Sequence, residues 1–374
     1  MAANGGVDGG TGDGDTDRFA AAAGTLAALG VFGASLLPWT EATRVGAIEN
    51  PFGVVLGVVL VGVFGARSLG YLNRRAGLCG TVGGAVAVVL ALVALVFPVL
   101  GPRTGTVTPG LGVSLGAGAG AFALGFGLAD WFGLGRRAVV ERLGAAASAG
   151  FVGAVALFVG ALAATVVQSV GRGLPTLLLS GLANAAFAVV LGFVGMGVVV
   201  LRRDDVRFFD VRVPSRREWG YAVGGLAAML GLLLLLNEVI GVLGLPSAEH
   251  SVITQARENP QLLFVLFVLS WVAIGPGEEL LNRNVVQKYL YYDFSRASAI
   301  VVGCIVFTAM HGFAYAGSGT VPLVVSLVNL FCISLVLGVV YERTDNVVVP
   351  IFAHAAYDAV QFAAAYVMIT TDLL

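Results

Sequence analysis

The chain has 374 residues, of which 58% are hydrophobic and 11% charged, whereas an ordinary water-soluble domain carries about 25% charged residues. Together with a mean hydropathy of +0.92, this excludes a soluble globular protein. The net charge is −1 and the 21 basic residues are scattered through polar breaks without forming a stripe, which excludes a nucleic-acid-binding role. An integral membrane protein is left, with the lipid bilayer as its first partner.

The opening residues 1–17 are rich in Gly and Asp, lack a basic n-region, and precede an apolar stretch with no cleavage site. They are expected to form a disordered acidic tail, not a signal peptide. From Arg18 onward, apolar runs of about 17–25 residues, the length that crosses a bilayer core, alternate with short polar breaks. Spans are predicted near 19–38, 52–70, 78–100, 108–130, 147–169, 176–201, 219–243, 261–289, 297–313, 320–341 and 347–370. The expected fold is therefore all-α, a polytopic transmembrane helix bundle of about eleven spans.

Loop charge supplies the orientation, because cytoplasmic loops hold the excess of Arg and Lys. Arg67, Arg74 and Arg75 follow the second span, Arg136, Arg137 and Arg142 the fourth, and Arg202, Arg203, Arg207, Arg212, Arg216 and Arg217 the sixth. The intervening breaks hold Arg44 with Glu41 and Glu49, then Arg103, then Arg172, then Arg257 with Glu249 and Glu258. Arg283, Lys288 and Arg296 after the eighth span and Arg343 after the tenth continue the alternation, which places the N-terminus in the cytoplasm and the C-terminus outside.

The first six spans are built of Gly, Ala, Val and Leu. In the fourth, Gly112, Gly116 and Gly120 line one helix face, the pattern of close helix packing in lipid. Asn184 and Gln168 are isolated polar residues suited to bonds across helices. Cys79, Cys304 and Cys332 are odd in number and lie in or beside apolar runs, so they are assigned no disulfide, metal or redox role. The Arg-rich stretch 202–218, broken by Pro214, marks a boundary between a six-span region of unassigned role, 18–205, and a C-terminal region, 206–374.

Nearly all the intramembrane charge falls in that second region. A charge at the bilayer centre costs about 2.5–3.5 kcal/mol on insertion scales, so such residues are functional candidates. The eighth span contains Gly275-Pro276-Gly277 immediately before Glu278 and Glu279, where a proline kink or a steep tilt is expected. Glu279 and Arg283 are four apart and share a face, positioned for a bidentate ion pair that braces the bundle or orients a site. Glu278 points about 100° away and is free to face a cavity as a base. His311 ends the next apolar run, and His354 and Asp358 lie one turn apart on the last. The remaining histidine, His250, falls in a loop. Bringing Glu278, His311 and His354 to one depth requires the ninth span to tilt or to start late.

The ordered set Glu278-Glu279-x-x-x-Arg283, Phe307-x-x-x-His311 and His354-x-x-x-Asp358 resembles the CAAX protease and bacteriocin-processing family, roughly over residues 215–374. Gly-x-x-Glu-Glu-Leu-Leu before Arg283 and Val349-Pro350-Ile351 before His354 belong to the same resemblance. It implies an intramembrane glutamic-type endopeptidase that acts on a membrane-embedded or lipid-anchored peptide or protein. Glu278, helped by His311, would deprotonate the attacking water; His354 and Asp358 would stabilise the oxyanion; Glu279 and Arg283 would orient the site. Asn is common at the position of Asp358, and an Asp donates a hydrogen bond only when protonated. No cofactor is implied. Zinc is the competing reading, since two histidines and a glutamate make a familiar ligand set, although no His-Glu-x-x-His helix is present. From different functional classes, a non-catalytic scaffold or immunity protein and an ion-coupled transporter also compete.

Overall fold

The computed structural model describes residues 17–37, 39, 50–100 and 111–371. The expected acidic tail, apart from Asp17, and the break charges Glu41, Arg44, Glu49 and Arg103 lie outside the described residues. Twelve helices make up the architecture among the described residues, with no strand: α1 Phe19–Ser35, α2 Pro51–Leu69, α3 Ala76–Leu100, α4 Leu111–Trp131, α5 Arg136–Val170, α6 Thr176–Leu201, α7 Arg216–Val242, α8 Ser251–Glu258, α9 Leu262–Leu290, α10 Arg296–Met310, α11 Thr320–Thr344 and α12 Val348–Thr370. The all-α membrane bundle is borne out. Nine of these helices are long and apolar enough to cross a bilayer, and α1 and α10 are shorter apolar helices of 17 and 15 residues.

Three elements differ from expectation. Helix α5 begins at Arg136, well before the predicted start near 147, because nothing between Arg136 and Gly144 breaks a helix and Arg137 pairs with Glu141 one turn on at 2.7 Å. Arg136, Arg137 and Arg142 are thus helical residues and do not lie in a loop. Helix α8 was not expected; it fills the break between α7 and α9, with the His250 imidazole capping its first turn. Arg67, counted among the charges of a break, is buried in the last turn of α2, where its Nε lies 3.1 Å from Asp130 Oδ2 of α4.

The chain divides into two compact units, Met1–Leu143 and Gly144–Leu374. In the first, glycines bring helix backbones into contact. A Cβ at Gly84 of α3 would collide with Leu124 N of α4, and one at Gly127 of α4 would collide with Thr81 N of α3. Gly112 faces Trp39 and the end of α1, whereas Gly120 faces α3, so the every-fourth-residue stripe serves two neighbours.

In the second unit, α9 is the central element. Leu281, Val286 and Leu290 are buried together with Leu191 of α6, Ala156 of α5 and Val306 and Met310 of α10. The stretch 206–215 before α7 is fastened onto these helices. Asp210 Oδ2 accepts from Lys288 Nζ at 2.7 Å and Tyr341 Oη at 2.6 Å, its carbonyl accepts from Val347 N, and Asn346 Nδ2 donates to the Arg212 carbonyl. A capping box of Ser215 and Glu218, with Arg212 bound to Glu218, then starts α7.

Candidate active site

Proline at position 276 has no N–H to donate one turn back. Helix α9 absorbs this loss with π-helical turns at Ser270–Ile274 and Leu280–Gln287, on either side of the five residues Gly275–Glu279. Gly275 N–H reaches the Ser270 carbonyl five residues back. The helix continues to Leu290, so the sequence Gly-Pro-Gly produces widened turns at the point where the glutamates emerge, a feature common at functional sites. The two glycines have a second cause. A Cβ at Gly277 would collide with the Ala188 carbonyl of α6, and one at Gly275 would press on Ile351 O and Ala355 of α12. Glu278 is thereby held between three helices.

A cavity of about 970 Å³ opens in this unit, and its walls include Glu278, Asn282, His311, His354 and Asp358. Glu278 Oε2 stands 3.7 Å from His311 Nε2 and 4.0 Å from His354 Nε2. It is closed to solvent and has no hydrogen-bond partner among the described residues. The separation in depth expected from the spans is bridged because α10 ends at Met310 and His311, as its C-cap, turns into the cavity. Its Nδ1 lies 2.9 Å from the Phe307 carbonyl. A carbonyl only accepts, so Nδ1 carries a proton, and Nε2 is the ring atom that faces Glu278.

Glu279 and Arg283 are fully buried and do pair, but not in the expected bidentate way. Arg283 Nε meets Glu279 Oε2 at 3.1 Å, while Glu279 Oε1 takes His354 Nδ1 at 2.9 Å. The guanidinium also donates to Ser334 Oγ at 2.8 Å and, more weakly, to Gln287 Oε1 and Cys304 Sγ at 3.5 Å each, and lies over the Phe307 ring, 5.3 Å from its centroid. Glu279 is therefore a bridge that fixes the His354 ring against Arg283, leaving His354 Nε2 to face Glu278 and, at 3.5 Å, Asp358 Oδ2. Of the six candidate residues, Glu278, His311, His354 and Asp358 line the cavity, and Glu279 and Arg283 are buried behind His354. Among the described residues, no group of three or more His, Cys, Asp or Glu is arranged to hold a metal ion.

Two cavity residues were missed by sequence reasoning. His250 lines the same cavity, edge-on to Tyr315 at 5.1 Å between ring centroids. Burial, and secondarily the nearby His311, push its pKa down to about 4, so it is neutral at pH 7 and its Nδ1 accepts from Val252 N at 3.2 Å. Asn282 was passed over as an unspecified position inside the Glu-Glu-x-x-x-Arg string. The available signals were that His250 is the one histidine left over and that Asn282 is a carboxamide in an apolar run.

Comparison with known proteins finds its family match in the C-terminal part of the chain. Residues 260–360, from α9 to most of α12, match the family described as type II CAAX prenyl endopeptidase Rce1-like. The uncharacterized protein YpbD of Bacillus subtilis (strain 168) is 26% identical over 164 residues, 42% of this chain and 73% of that protein. No solved structure matches. The helices that bring Glu278, His311 and His354 together thus lie in the stretch, residues 260–360, that matches the Rce1-like type II CAAX prenyl endopeptidase family.

Proposed function

We propose that the protein is an intramembrane glutamic-type endopeptidase that hydrolyses a peptide bond in a membrane-associated, lipid-anchored substrate. The observation that carries this reading is the approach of His311 to Glu278 on the cavity wall. Glu278 Oε2 and His311 Nε2 stand 3.7 Å apart, and Oε2 has no hydrogen-bond partner among the described residues. In the working state His311 Nε2 is unprotonated, and a water held between the two donates one O–H to each. As the water attacks the scissile carbonyl, Glu278 takes its proton. The negative charge on the former carbonyl oxygen is met by the imidazolium form of His354, which donates from Nδ1 to Glu279 and presents Nε2–H to the oxyanion. Asp358 assists from its protonated form. Donors so placed are worth roughly 2.7–4 kcal/mol each in other hydrolases. The proton on Glu278 then passes to the leaving amine, which restores the carboxylate. A cavity of about 970 Å³ inside the bundle has room for water and makes such hydrolysis compatible with the membrane.

The family match supports a prenylated peptide ending in Cys-a-a-X as the first substrate to test. Protein purified in detergent is given a farnesylated peptide of this type in ¹⁸O-labelled water, and the products are read by mass spectrometry. The expected outcome is release of the C-terminal tripeptide, with one ¹⁸O in the new carboxylate, at a rate unchanged by a chelator. A rate abolished by the chelator and restored by zinc would support the metalloprotease reading instead. Loop charge supports a cytoplasmic N-terminus and an external C-terminus.

A further inference from the structure

Asn282 has no part in the chemistry above, yet it lies one turn after Glu278 on the wall of the same cavity and is only 1% exposed. Its Nδ2 donates to the Glu278 backbone carbonyl at 2.9 Å. Since that carbonyl only accepts, the carboxamide has a single workable orientation, and Oδ1 is the atom left over. Oδ1 is closed to solvent and has no partner among the described residues. Leaving a buried acceptor unpaired is unfavourable, and a leucine at this position would avoid it at no cost to the helix. The other side-chain atom of α9 in the same condition is Glu278 Oε2. Two acceptors one turn apart on one cavity wall therefore wait for donors.

We propose that Asn282 Oδ1 is a substrate-binding acceptor that takes a backbone N–H of an extended peptide close to the scissile bond. This rests on the endopeptidase reading and adds the manner of substrate binding. A main-chain N–H is an uncharged donor, suited to a neutral carboxamide oxygen in an apolar surrounding. In an extended strand, the N–H groups on one edge recur every second residue, about 6.8 Å apart. One turn of α9 advances by nearly the same length, about 5.4–6 Å. A strand laid along α9 thus brings an N–H to Asn282 when a carbonyl one or two residues away sits at Glu278. Recognition through the main chain also leaves side-chain identity free at that position.

The test uses the farnesylated peptide and analogues in which each amide near the scissile bond is N-methylated in turn. Binding is measured to Glu278→Gln and to Glu278→Gln/Asn282→Leu proteins, so that no hydrolysis step is needed. We expect one N-methylation to weaken binding to Glu278→Gln roughly tenfold and to have no further effect in the double variant, the non-additivity of two groups in contact. Asn282→Leu alone is expected to raise KM more than it lowers kcat and to melt at the same or a higher temperature than wild type. Identical N-methyl profiles in both backgrounds, or no binding of any peptide, would overturn the proposal. A lower melting temperature would assign Asn282 a structural role, and a fall in kcat at constant KM would give its oxygen to the attacking water. A wild-type protein that binds the peptide without cleaving it would reject the endopeptidase reading while the binding comparison still stands.

Discussion

Each oxygen of Glu279 serves a different residue, Oε2 holding Arg283 and Oε1 holding His354, with all solvent removed from the carboxylate. Removing one partner of a buried ion pair leaves the other charge uncompensated, at a cost of roughly 3–5 kcal/mol. Glu279→Gln is therefore expected to lower thermal stability sharply in a detergent melting experiment and to abolish activity with it. Arg283→Lys keeps the charge but not the reach to both Glu279 and Ser334. Its expected effect is a milder loss of stability with a kcat reduced roughly 10²-fold through a shifted His354. His250 answers to pH. Its folded pKa of about 4 lies below the ordinary 6.5, so the unfolded chain binds more protons between those values. Stability is fully present above about pH 6.5 and is lost as pH falls toward 4. His250→Asn retains a cap acceptor for Val252 N, so melting curves from pH 7 to 5 are expected to shift less for the variant than for wild type. The charged residues were legible in the sequence because ions in apolar runs are conspicuous. Asn282 and His250 were not, since their significance lies in which hydrogen bond each already makes.

At the level of elements, the approach of α6 to α9 is set by Gly277, where any side chain meets the Ala188 carbonyl. Gly277→Ala is expected to push the helices apart, lowering both the melting temperature and kcat. Gly197, also on α6, has open space around it, and Gly197→Ala is expected to be neutral or to stabilise by up to roughly 1 kcal/mol from helix propensity alone. Melting and activity measurements on the two variants separate backbone contact from propensity. Among the described residues, a helix stands at each of the eleven positions read from hydropathy, and nine of these helices are long and apolar enough to cross a bilayer. Helix ends were less legible: Arg136–Gly144 reads as a polar break until its internal ion pair and lack of a helix breaker are weighed. The π turns flanking Gly275–Glu279 were out of reach, because a proline announces a lost hydrogen bond without saying whether the helix bends or widens.

On the scale of the whole molecule, the conspicuous chemistry and the family match both fall in the C-terminal unit, and the second unit already begins at Gly144 with α5 and α6. Orientation is open to direct measurement. In a cysteine-free background, Arg203→Cys is expected to react with a membrane-impermeant thiol reagent only from the cytoplasmic side, and Arg172→Cys only from the outside; the reverse labelling would invert the topology. The fold class followed from composition alone, since 58% hydrophobic residues arranged in span-length runs suit little besides a helix bundle in lipid. Convergence of the site did not follow, because it depends on His311 turning inward just past the end of α10. The central claim is that Glu278 and His311 together activate one water. It is tested most directly by the rate of farnesylated-peptide hydrolysis for wild type, Glu278→Gln and His311→Ala, each verified as folded by its melting curve. The expected result is a loss of roughly 10³-fold or more in kcat for Glu278→Gln, a substantial loss for His311→Ala, and no further loss when the two are combined. Wild-type turnover in a folded Glu278→Gln protein would contradict the account.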